Sequence, residues 1–190
     1  MKNEKLIVIL GPTAVGKTDL SIELAKRLST EIISGDSMLV YKGFDIGAAK
    51  PTLEERQGIV HHLVDILEPD ESFSVTDFKM LAEQKITMLN QSGCLPVLAG
   101  GTGLYIKALV EDYQFNITKG DDAYRRELEL LAEQKGKAYV HQLLEAEDPH
   151  AAARLHVNDF RRVIRALEVV RLGNERISQK KTAVDGQLAY

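Results

Sequence analysis

The chain has 190 residues, of which 44% are hydrophobic and 27% charged, with a formal net charge of −4 and one cysteine, Cys94. This balance excludes a disordered polypeptide, a disulfide-stapled secreted fold and a uniformly basic nucleic-acid binder, and it fits one globular domain, or a domain with a lid. No apolar run approaches the ~20 residues of a membrane span, and Leu6 to Leu10 behind Lys2 and Lys5 is too short for a signal peptide. A cytoplasmic protein, expected to be a monomer, is the resulting picture.

Leu6 to Leu10 reads as a first strand, and Gly11-Pro12-Thr13-Ala14-Val15-Gly16-Lys17-Thr18 follows it with the spacing of a phosphate-binding loop. Its glycines let successive N–H groups converge on phosphate oxygens at the positive end of a helix expected over 17–28. Lys17 adds a point charge, and Thr18 is placed to offer its hydroxyl to a Mg²⁺ ion shared with the phosphates. Alone, the loop suits ATP or another nucleotide as well as a pyrophosphate.

A strand at 31–34 ends beside the loop and delivers Asp36, a candidate general base, with a turn cap or an indirect Mg²⁺ ligand as the alternatives. An irregular stretch runs through Pro51, where Lys50 reads equally as a phosphate or RNA contact and as a solvated loop lysine. A strand is expected at His62 to Ile66. His61 and His62 lack metal-ligand spacing and take structural roles, while His141, His150 and His156 read as surface. Ser74 and Asp77 then cap a helix through Leu89 that Gly93 stops. Leu95 to Ala99 is a buried strand that turns at Gly100-Gly101-Thr102-Gly103 into another helix, with Tyr105 as core packing. Strands alternating with helices imply a doubly wound parallel sheet whose ligands bind at the strands' carboxyl ends, where Thr13, Asp36 and Thr102 fall. The last of these strands ends in glycines instead of the Mg²⁺-binding aspartate of an ordinary nucleotide hydrolase.

Beyond residue 117 the pattern turns helical, with segments at 122–134, 136–147, 149–155 and 158–172, and Gln187 to Tyr190 is where a further strand would begin. The division is an α/β core at 1–117, a helical insertion or lid at 118–177 and a return toward the core at 178–190. Arg154 to Lys181 carries eight Lys/Arg against three acids. In the 158–172 helix an apolar stripe of Phe160, Val163, Ile164, Leu167 and Val170 leaves Arg161, Arg162, Arg165 and Arg171 outward, a face suited to phosphate contacts.

Taken together, Gly11 to Thr18, Asp36-Ser37, Tyr41 to Gly47, Lys50-Pro51, His62 to Asp65, Gly100 to Tyr105 and Arg161 to Glu168 resemble the tRNA dimethylallyltransferases. The resemblance runs from Leu6 to about Ile177. Ala48 stands where that family usually has threonine, and its members are longer, so the chain resembles one truncated at the carboxyl end. The resemblance implies a P-loop NTPase-like α/β fold with a helical insertion. It also implies transfer of a dimethylallyl group from dimethylallyl diphosphate to N6 of adenosine 37 in tRNA, with Mg²⁺. Gly11, Pro12, Thr13, Ala14, Val15, Gly16, Lys17 and Thr18 would hold the diphosphate, with Thr13 on the bridging oxygen and Arg125, or adjacent Arg126, reaching it from the helical segment. Asp36 would be the base. Contacts to tRNA would come from Asp36, Ser37, Met38, Leu39, Thr102, Arg125, Arg161, Arg162, Val163, Ile164 and Arg165. A small-molecule or nucleotide kinase, a prenyltransferase acting on free adenine nucleotide, and a binding module without activity are the competing readings.

Overall fold

The computed structural model describes residues 4–111, 113, 120–173 and 188–190. Contacts divide the chain into two units, one of residues 1–113 with 183–190 and one of residues 114–182.

The first unit is built on four parallel strands, β1 (Ile7–Leu10), β2 (Ile32–Ser34), β3 (His61–His62) and β4 (Val97–Gly100), in the order β1-β4-β2-β3. Its helices are α1 (Lys17–Leu28), α2 (Val75–Gln91) and α3 (Gly103–Val110). β4 therefore lies between β1 and β2, with Val97 beside both Ile7 and Ile32. Alternation along the strands sends successive side chains to opposite faces. Ile32 and Val97 pack with Ile22 and Ala25 of α1, while Ile33 and Leu98 pack with Phe78, Ala82 and Ile86 of α2 and Ile106 and Leu109 of α3. The sheet is thus covered on both faces, as its apolar strands require. Tyr105 belongs to the α2–α3 side, stacked on Phe78 at 4.6 Å between ring centroids. The Ser74–Asp77 capping box forms, and Gly93 follows α2 at φ 77°.

The expected strand at 62–66 shrinks to two residues. Leu63 and Asp65 take positive φ (60° and 57°), outside any extended conformation, so the chain leaves the sheet and returns only as a single bridge between Leu67 and Tyr41. Of the strand anticipated at 187–190, Gln187 lies outside the described residues. Leu188 to Tyr190 are not a strand, although the Ala189 N–H donates to the Val110 carbonyl at 2.9 Å.

The second unit holds four helices among the described residues, α4 (Asp122–Lys135), α5 (Lys137–Glu147), α6 (Pro149–Arg154) and α7 (Phe160–Gly173). Asp121 caps α4, and buried Asp148 caps α6 with Pro149 at its first turn. Leu128, Val140, Leu144, Ala151, Val163, Ile164, Ala166 and Leu167 form their common core. The expected end of the helical insertion at 177 and the return toward the core over 178–187 lie outside the described residues.

Candidate functional site

The carboxyl ends of β1, β2 and β4 open into a cavity of about 320 Å³. Thr13, Ala14, Gly16, Lys17 and Thr18 line it from the loop, and Asp19 and Ser21 from α1. The loop's shape is set by Ala14 and Gly16, both left-handed (φ 64° and 83°), which turn the chain into α1 without a side-chain cap. The first N–H groups of α1 are left available to an anion. Lys17 Nζ donates to the Pro12 carbonyl at 2.5 Å, closing the loop on itself.

Asp36 lines the same cavity from the end of β2. One carboxylate oxygen, Oδ1, accepts from the Met38 N–H at 2.8 Å, so the capping reading of Asp36 holds for that oxygen. The other faces the glycine turn after β4, where a Cβ on Gly101 would lie 3.8 Å from Oδ2. Backbone proximity fixes this corner. A Cβ on Gly100 would meet the Gly35 backbone at 2.4 Å, so the two strand ends approach this closely only because Gly100 carries no side chain. The Gly35 N–H donates to the Ala99 carbonyl at 2.8 Å, and the Ser37 N–H donates to Thr102 Oγ1 at 3.0 Å. Thr102, expected to face tRNA, here ties the segment after β2 to the start of α3.

The opposite wall comes from Ala48, Ala49 and Pro51 of the irregular stretch, His61 of β3 and Val64 just beyond it. Lys50 holds this wall and is neither solvated nor poised for a ligand. It is 8% exposed, donates to the Tyr41 carbonyl at 2.8 Å and pairs with Asp65 at 2.5 Å and Asp45 at 2.9 Å. Burial works against the charge on Lys50, but the bonds to Asp45 and Asp65 outweigh it and raise its pKa. Arg56 adds a 3.5 Å contact to Asp65. His61 shares Nδ1 with the Ile59 carbonyl at 2.9 Å, and burial, against that bond, lowers its pKa, keeping the ring neutral. Its neighbour His62 faces Glu31.

In the second unit Arg161 and Arg162 are exposed, as expected, but Arg165 is not free on the surface. Glu168 is fully buried on α7 and accepts from Arg165 Nη1, from Arg125 Nε at 2.8 Å, and from the Asp121 N–H at 2.7 Å. Burial would raise the Glu168 pKa, but the hydrogen bonds from Arg125 and Arg165 prevail and lower it. Arg171 likewise packs over the Tyr124 ring, 4.1 Å from its centroid. Val163 and Ile164 sit in the helical core, 0% and 5% exposed, so their side chains are closed to any partner. Arg126 is exposed whereas Arg125 is clasped by Glu168. Glu168 lies on the buried face of α7, where a carboxylate is the exception, so the apolar stripe gives no sign of the clasp.

A glycine-rich loop of the phosphate-binding type on a parallel α/β sheet, with a helical unit in the same chain, defines a protein of P-loop-like fold. The chain belongs to the IPP transferase family, whose model matches residues 39–189. It is 49% identical to a tRNA dimethylallyltransferase of Bacillus cytotoxicus over 189 residues and 50% identical to one of Bacillus anthracis over 190. Each match covers 100% of this chain but 60% of the relative, so the chain spans about three fifths of these curated relatives. Among solved structures, the tRNA isopentenylpyrophosphate transferase of Bacillus halodurans is 52% identical at TM-score 0.59, covering 90% of this chain and 57% of that one. A eukaryotic dimethylallyltransferase acting on tRNA is 31% identical at TM-score 0.80, with coverages of 95% and 46%. No described helix is long and apolar enough to cross a membrane.

Proposed function

We propose that the protein transfers the dimethylallyl group of dimethylallyl diphosphate to N6 of adenosine 37 in tRNA, acting in the cytoplasm. The observation that carries this reading is one cavity lined both by the anion-binding loop and by the carboxylate of Asp36.

The allylic C–O bond breaks and its electron pair leaves with the diphosphate. The amides of the loop, Lys17 and Thr13 at the bridging oxygen stabilise that charge as it develops. Thr18 supplies a hard oxygen donor on the cavity wall, the chemistry that Mg²⁺ takes alongside substrate phosphates, so this residue fits the ion. When bound, Mg²⁺ adds Lewis-acid stabilisation of the departing oxygen. The adenine amine is a weak nucleophile because its lone pair is delocalised into the ring. Attack forms the N6–C bond while the N6 proton passes to Asp36, a contribution of about 10² to 10⁴ in rate. An adenosine in a stacked anticodon loop must turn out to reach the cavity. Ser37, Met38 and Leu39 beside Asp36, and Arg161 and Arg162 on α7, are the contacts proposed for the RNA.

The test incubates the 190-residue protein with Mg²⁺, dimethylallyl diphosphate and unmodified tRNA and examines the anticodon loop by mass spectrometry. One added C5H8 unit on an adenosine is expected. Turnover of ATP without an adduct would identify a kinase instead.

A further inference from the structure

The second unit contains a charge arrangement that packing alone does not explain. Glu168 is 0% exposed and accepts from two guanidiniums, whereas one suffices to neutralise it. Arg125 binds both of its oxygens, Nε to Oε1 at 2.8 Å and Nη2 to Oε2 at 3.1 Å, and Arg165 Nη1 shares Oε2. Two guanidiniums thus share one buried carboxylate. Asp121 and Asp122 also act on Arg125, Asp122 at 3.2 Å, where at 93% exposure its charge is largely screened by water. Both arginines remain open to solvent, at 40% and 39% exposure, and Arg165 makes no other hydrogen bond among the described residues. Gly120 completes the seat, since a Cβ there would lie 2.4 Å from Arg125 Nη2 and 2.8 Å from its Cζ.

We propose that Glu168 is a positioning residue that holds Arg125 and Arg165 as one preorganised receptor for a phosphoryl group. This rests on the function proposed above, which supplies two phosphoryl sources, the RNA backbone and the diphosphate. A free arginine must surrender its rotamers on meeting an anion, whereas here the buried carboxylate has already fixed both planes and left N–H donors outward. A buried ion cluster that served packing alone would be satisfied by one arginine, and a surface that served charge alone would not need a buried anion.

These alternatives differ in sign. Glu168→Gln keeps the side chain's shape and makes the protein one unit more positive, so a surface acting by charge alone would bind RNA more tightly. Positioning by Glu168 predicts the reverse, a loss of about tenfold in affinity. The measurements are fluorescence anisotropy with an unmodified anticodon stem-loop and calorimetry with inorganic pyrophosphate, on protein whose fold is checked by circular dichroism and thermal melting. Gly120→Ala unseats Arg125 without touching Glu168 and should cost about three- to tenfold. It decides the matter if Glu168→Gln fails to fold. A loss confined to the stem-loop assigns the receptor to the RNA backbone, and a loss confined to pyrophosphate assigns it to the leaving group. Unchanged or tighter binding of both ligands in folded variants overturns the proposal. Transfer is scored separately on the unaltered protein. No adduct there, with stem-loop affinity still sensitive to Glu168, would sink the transferase reading and leave the receptor standing.

Discussion

The two units build their charged surfaces by opposite means. In the α/β unit the proposed anion site is made of backbone: two left-handed residues in the loop, the first N–H groups of α1 and the glycines where strands converge. In the helical unit it is made of side chains, with arginines disciplined by one buried carboxylate. A backbone site tolerates much side-chain variation but no added Cβ at its crossings. A side-chain site tolerates backbone variation but depends on each charged partner.

The sharpest way to break this contrast is Gly100→Ala. Its Cβ would meet Gly35 backbone atoms at 2.4 Å, and neither strand has a flexible side chain to yield. Loss of at least about 3 kcal/mol, seen as a collapsed urea midpoint, is expected. Asp36→Asn comes next. It should lower the transfer rate by about 10² to 10⁴ while the protein still melts normally and retains tRNA. Full activity in that variant would remove Asp36 as the base.

In the helical unit, Glu168→Ala should destabilise by about 2 kcal/mol, less than a fully buried pair because both arginines can turn to solvent. The accompanying pH dependence has a definite sign. The folded Glu168 pKa lies below its ordinary value of 4.5, so its contribution is present above that pH and is lost as pH falls through the folded value. Glu168→Gln should flatten this acid limb in unfolding experiments.

Lys50→Met is expected to act more gently, raising KM for the diphosphate about fivefold by loosening the wall at Ala48 to Pro51, with kcat little changed. The smallest effect belongs to His61. Its depressed pKa means that stability present above pH 6.5 declines as pH falls through the folded value, and His61→Gln should blunt that decline.

How much of this was legible in the sequence follows the same division. Strands β1, β2 and β4, and all the helices, follow from apolar periodicity and caps, with ends shifted by a residue or two. The loop and Asp36 were legible because strand ends and glycine spacing are local signals. The wall at 48–64 was not, because it depends on Lys50 reaching Asp45 and Asp65 across an irregular stretch. β3 is shorter than the pattern of His62 to Ile66 suggests, because Leu63 and Asp65 give no local warning of positive φ. Helical periodicity places Arg165 outward because it sorts residues by polarity, and Glu168 is a polar residue on the apolar side. Only the three-dimensional proximity of α4 and α7 reveals what the carboxylate does.

The contact between Gly35 and Gly100 also limits how the site can be redesigned. Gly100 lines the cavity with its backbone against that of Gly35, so no side chain can be added at Gly100 without moving the Gly35 backbone. Ala48, Ala49 and Pro51 are short residues on a wall held by ion pairs. An engineer seeking to admit a bulkier ligand would work on that wall and on lining side chains such as Leu39 and Val64.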